Sequence, residues 1–87
     1  MHEMGIASSV LEALHEELHR HPGYRPAKVG LRIGEYAGVD RESLKFCLDT
    51  LVKDTPFEPL ELVIEPGGVD DMEIAYFEFE ETPQVKS

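Results

Sequence analysis

The chain of 87 residues has no tryptophan and a single cysteine, Cys47. One cysteine excludes an intramolecular disulfide and any zinc site built from several thiolates. No apolar run approaches the ~20 residues that a membrane-spanning helix needs. The amino terminus also lacks the basic-then-apolar pattern of a secretory signal, so the expectation is a cytoplasmic protein with no membrane partner. Basic side chains are missing from a long segment as well. Residues 54–85 hold ten acidic side chains and no Lys or Arg, whereas residues 1–53 hold eight acidic and seven basic ones. With a net charge of −10 the surface repels phosphate backbones, which excludes nucleic-acid binding through a basic patch. Two uses of the acidic segment stay open: a solvated sheet face kept soluble by glutamates, and a surface that docks on a basic partner. A chain this short buries only about 60–65% of its unfolded surface, enough for one domain with a small core.

Against these absences the apolar residues are regularly placed. Met4, Ala7, Leu11, Leu14 and Leu18 recur at helical spacing, widened by Ile6, Val10 and Ala13, which predicts a first helix from Glu3 to His19 ended by Pro22-Gly23. Val29, Leu31 and Ile33 alternate with Lys28, Gly30, Arg32 and Gly34, the period-two pattern of a strand. Asp40 caps a second helix whose apolar face is Leu44, Cys47, Leu48 and Leu51, stopped by Asp54-Thr55-Pro56. Leu60–Glu65 and Met72–Glu80, the latter with Ile74, Tyr76, Phe77 and Phe79, read as two further strands. Pro66-Gly67-Gly68 between them offers positive-φ residues for a tight antiparallel hairpin. The order α-β-α-β-β predicts an α+β sandwich of two layers, a three-stranded mixed sheet packed with two helices. Residues 1–81 form this domain and residues 82–87 a polar tail.

The most chemical stretch is the opening Met1-His2-Glu3. A histidine second from a free amino terminus offers one cation the terminal amine, its own amide nitrogen and its imidazole. Such a nitrogen-rich clamp suits square-planar Ni(II) or Cu(II) better than tetrahedral zinc. Bulky His2 also disfavours removal of Met1. The plain alternative is a frayed terminus with no ligand role. A second pattern, His15-Glu16-Glu17-Leu18-His19, fits the H-E-x-x-H of zinc peptidases, in which two imidazoles one helical turn apart bind metal and the glutamate is the general base. That enzyme needs a third ligand and a peptide cleft, on a helix already committed to packing through Leu11, Leu14 and Leu18. The competing reading is two histidines flanking an apolar stripe, with incidental metal binding between the two. His21 reads as solvent-facing and Cys47 as a small core residue. Asp40 has two readings, a helix cap and an oxygen donor if the helix start lies near the amino terminus. Gly30–Gly34 lacks the spacing and the lysine of a phosphate-binding loop.

Met1-His2-Glu3-Met4, the segment Val29-Gly30-Leu31-Arg32-Ile33-Gly34-Glu35, and Gly38-Val39-Asp40 with Leu44-Lys45-Phe46 together resemble the HypA/HybF family, the nickel chaperones of nickel-iron hydrogenase maturation. Thr55 and Leu60-Glu61-Leu62 extend the likeness, which runs over residues 1–65 and resumes from Val69 to Glu80. The resemblance implies a non-enzymatic nickel carrier with Met1 and His2 as ligands and Glu3 contributing through its backbone or as an outer carboxylate. It further implies a GTPase accessory protein and the hydrogenase large-subunit precursor as partners. Family members usually carry a zinc lobe with paired Cys-x-x-Cys motifs between the second and third strands. Here Gly67-Gly68 stands at that junction, so Ni(II) is the expected ion and structural zinc is not. The alternative within the same fold is an interaction module that docks on maturation partners without carrying metal.

Overall fold

Val29, Leu31 and Ile33 point to one side of a strand and are all essentially buried, which makes that strand the natural centre of the sheet. In the computed structural model, which describes residues 2–83, it is β1 (Tyr24–Ile33). The other elements are α1 (Glu3–Leu18), α2 (Arg41–Val52), β2 (Glu61–Pro66) and β3 (Met72–Glu81). Ala7, Val10 and Leu14 from α1 and Leu44, Leu48 and Val52 from α2 close over β1, and Leu60 completes one buried cluster. The expected two-layer α+β architecture, in the order α-β-α-β-β, is the one observed.

The sheet order is β2-β1-β3. β2 runs parallel to β1, from Lys28 opposite Glu61 to Ile33 opposite Pro66. β3 runs antiparallel to it, from Tyr24 opposite Glu81 to Ile33 opposite Met72. The expected β2–β3 hairpin is therefore not formed: the two strands flank β1 instead of pairing with each other. The positive-φ glycines are Gly23 (85°) and Gly38 (73°), not Gly67 or Gly68. Charge supplies the physical reason. β2 carries Glu61 and Glu65 and β3 carries Glu73, Glu78, Glu80 and Glu81, and like charges facing each other across a ladder destabilise it. β1 carries the matching cations. Arg32 donates to Glu73 Oε1 at 2.6 Å on one side and to Glu65 Oε1 at 3.2 Å on the other. Lys28 Nζ lies 3.9 Å from Glu78, and Arg25 Nε 3.4 Å from Glu80.

To join the two outer strands, residues 67–71 cross the end of β1. Gly34 donates its N–H to the Asp71 carbonyl (2.9 Å) and Tyr36 donates to Val69 (2.8 Å). A Cβ on Gly34 would overlap the Gly68 carbonyl oxygen, so only glycine fits this crossing. β1 also starts earlier than its apolar alternation indicates, at Tyr24 instead of Lys28. Pro26 masks the start, but it pairs only with β3, before the β2 ladder begins and beside an irregularity at Ala27, where a sheet accepts proline. A second irregularity leaves Ala75 of β3 without a partner. It turns Tyr76 to the outer face, over Gly30, while Phe77 and Phe79 stay against the core.

Exposed ion pairs add little stability singly, so the Arg32 pairs act mainly on strand order. Arg32→Glu places three carboxylates in one row and lowers the melting temperature below that of Arg32→Ala. The gap between the two variants narrows in 1 M salt, where the screening length falls to about 3 Å. A thermal melt of both variants at two salt concentrations checks this.

Candidate metal centre

The first helix begins immediately after the second residue. His2 is the N-cap of α1, in extended conformation (φ −85°, ψ 102°), and its side chain makes no capping hydrogen bond. Its carbonyl accepts the first intrahelical bond, from Ile6 N–H at 3.1 Å. The N–H groups at a helix start have no acceptor within the helix, so the backbone ladder makes no claim on the His2 amide nitrogen. His2 is exposed, and among the described residues its imidazole caps nothing and its amide lies outside the helix ladder.

Glu3 is the first helical residue, and its Oε2 accepts the backbone N–H of Asp40 at 3.0 Å. Asp40 is in turn the N-cap of α2. Its Oδ1 accepts Ser43 N–H at 3.0 Å, and its carbonyl accepts Leu44 N–H at 2.9 Å. The capping role read from the sequence holds, and Asp40 also lies beside the amino-terminal residues, the condition for its alternative role. Two helix N-termini are joined through one carboxylate, each with an acidic residue where the backbone dipoles favour negative charge. The bond from the Asp40 amide, and then one from its own amide, hold the Glu3 carboxyl below its ordinary value of 4.5.

Of the four residues singled out as metal ligands, Met1 lies outside the described residues; His2, Glu3 and Asp40 are gathered at one end of the molecule. Among the described residues no three His, Cys, Asp or Glu side chains form a group that could hold a metal ion. Side chains alone do not make this centre. A cation here would need backbone or terminal nitrogen beside the imidazole, and the His2 amide is a donor of that kind. Beside them a shallow groove runs between α1 and β3, lined by His2, Gly5, Ile6, Val10, Met72 and Ile74. Sequence reasoning missed it, because the groove depends on where β3 lies against α1, which leaves Ile74 37% exposed.

The remaining candidates are spread elsewhere. His15 and His19 do share a face near the far end of α1, their ring centroids 5.1 Å apart, with Phe57 beside His15. Cys47 is half-buried against the core, as its place on the α2 apolar face indicates. His21 departs from the solvent-facing expectation: it is half-buried, stacks on Phe79 with centroids 4.7 Å apart and lies 3.5 Å from Glu17. No helix among the described residues is long and apolar enough to cross a membrane.

Because the Glu3 value is lowered on folding, its contribution to stability is complete above 4.5 and is lost as pH falls through the lowered value. Glu3→Gln therefore destabilises the domain near neutral pH, and the difference from the parent disappears in acid. Urea midpoints of both proteins across the acidic range test this. A difference independent of pH would contradict it.

A family model described as hydrogenase/urease nickel incorporation, metallochaperone, hypA matches residues 1–70, from α1 through β2. The hydrogenase maturation factor HypA of Chlorobaculum parvum is 43% identical over 65 residues, covering 75% of this chain and 58% of that protein. That of Chlorobaculum tepidum is 42% identical over 80 residues, covering 91% of this chain and 71% of its own length. The HypA of Methanopyrus kandleri is 40% identical over 65 residues, 75% of this chain and 46% of the relative. The chain thus spans about half to seven-tenths of these relatives. The sequence opening at Met1-His2-Glu3, the β1 segment and the Asp40 cap all fall inside the matched region, and the chain belongs to the HypA family of hydrogenase and urease nickel-incorporation metallochaperones.

Proposed function

We propose that this chain carries Ni(II) as cargo on a free amino terminus, bound by the Met1 amine and by the amide and imidazole of His2. The nickel is destined for a nickel enzyme such as nickel-iron hydrogenase. Family membership places the chain among metallochaperones and not enzymes, which removes the peptidase reading of His15-Glu16-Glu17-Leu18-His19. The observation that carries the nickel reading is the position of His2. It starts a helix, so its amide is free of the ladder, and the next residue is tied to Asp40. A deprotonated amide is negative, and the positive end of α1 is a favourable place for it. Glu3 and Asp40 then serve as outer carboxylates that fix where α1 begins, and Asp40 is the candidate for an additional oxygen donor.

A carrier must also release its cargo. An exposed terminal site does so by ligand exchange, because ordering the terminus offsets part of the metal-bond energy. Protons compete for the amine, the amide and the imidazole, so affinity falls on acidification. With Cys47 as its one cysteine, the chain has no resident zinc in this account. The cytoplasm, a GTPase accessory protein and the hydrogenase large-subunit precursor are the setting and partners that the reading assigns, on a domain of residues 1–81.

One observation favours the second reading, a docking module without cargo: the apolar groove of Ile6, Val10, Met72 and Ile74 at the edge of His2. Calorimetric nickel titration of untagged protein separates the two. The carrier reading expects one tight equivalent that is lost in His2→Ala and weakened as pH falls. Equal uptake by parent and variant would leave only the docking module.

A further inference from the structure

The two histidines at the other end of α1 are not used by the amino-terminal clamp. We propose that His15 and His19 form a second, independent site for a borderline divalent transition ion, nickel or copper above all, held by two imidazoles and completed by water. The helix continues in αR geometry through His19, whose backbone has φ −62° and ψ −21°, so the i and i+4 side chains share one face. Their ring centroids are 5.1 Å apart and the rings are nearly perpendicular, at 75°. With metal–nitrogen bonds of about 2.0–2.1 Å, two imidazoles on adjacent positions of one cation place their centroids about 4.5–5 Å apart. The observed separation matches the one a shared cation requires once the side chains turn their nitrogens toward it. Phe57 packs edge-on at 6.4 Å from His15 and, with Leu18 and Pro56, walls one side of the pair, which limits the freedom the rings must lose on binding.

Electrostatics distinguishes this end of α1 from the first. The last turn presents the negative ends of the backbone dipoles, which favour a cation. The carboxylates adjacent in sequence are Glu12, Glu16 and Glu17, and the neighbouring base Arg20 is already bonded to Glu17 at 2.9 Å. His21 is held by Phe79 and Glu17 and does not join the pair. From His2 to His15 is thirteen residues, about 20 Å along the helix, so the two sites cannot share an ion. Two neutral imidazoles without an amidate bind more weakly than the clamp, and copper binds more tightly than nickel. The far end of α1 is thus a second landing place for the same class of ion.

The test uses the full chain with its amino terminus acetylated, which silences the clamp and makes the result independent of the nickel-carrier reading. Substoichiometric Ni(II) is added and the four histidine ring proton signals are followed by NMR, with circular dichroism confirming the fold. The site predicts that His15 and His19 broaden first and together, ahead of His2 and His21, and that His19→Ala weakens the effect at His15 about tenfold or more. Equal broadening of all four histidines, or a His15 response unchanged in His19→Ala, would overturn it.

Discussion

The burial of one face of β1 is the constraint on which the other elements depend. Val29, Leu31 and Ile33 are excluded from water only if both helices lie across them, and each helix presents a matching stripe, Ala7, Val10 and Leu14 on α1 and Leu44, Leu48 and Val52 on α2. In a domain this small no second core exists to share the task, and loss of a single large side chain such as Leu14 would cost about 2–5 kcal/mol. The same packing brings the starts of the two helices together. The Glu3–Asp40 bond is short-range and exposed, yet it joins residues 37 apart in the chain because β1 has already fixed where the helices lie. The candidate metal centre is in this sense a by-product of the core.

The other face of β1 solves a different problem. A segment with ten acidic side chains and no base must form two strands, and it does so by placing them on either side of the one strand rich in Arg and Lys. The outer face is a set of cross-strand ion pairs centred on Arg25, Lys28 and Arg32. Each pair is weak in water. Their joint effect is to disfavour the alternative order in which β2 and β3 pair directly. Acidic composition therefore reads as a rule of strand order here, closer to the solvated sheet face than to an acidic docking surface.

This logic marks what was legible in the residues. Helical period was enough for α1 and α2, and the Asp40 cap was recognisable because a short acidic side chain three residues before a free amide has few other uses. Period-two alternation was enough to find three strands, but not to order them: Gly67-Gly68 imitates a hairpin turn, and the charge contrast between β1 and its neighbours, plainly written, outweighs it. The ligand set proposed at the amino terminus could be read from the residues alone because it rests on covalent neighbours. The groove beside His2 and the stacking of His21 on Phe79 were not, since both arise from long-range placement of β3, whose bulge at Ala75 breaks the pattern that alternation assumes.

At the centre, nitrogen and oxygen donors have different duties. Glu3 and Asp40 each already accept a backbone amide, which suits them to hold the helix starts, while the proposed carrier role assigns the His2 amide and imidazole to the ion. Coordination by amine, amidate and imidazole is planar and makes Ni(II) diamagnetic. The most direct test is the proton NMR spectrum of the nickel complex formed on an untagged, unblocked amino terminus. Narrow lines, with the Glu3 and Asp40 signals retained and the His2 amide proton gone, are the predicted result. A paramagnetic complex that erases the Glu3 and Asp40 signals while nickel is fully bound would mean that carboxylates, not the terminal nitrogens, grip the ion.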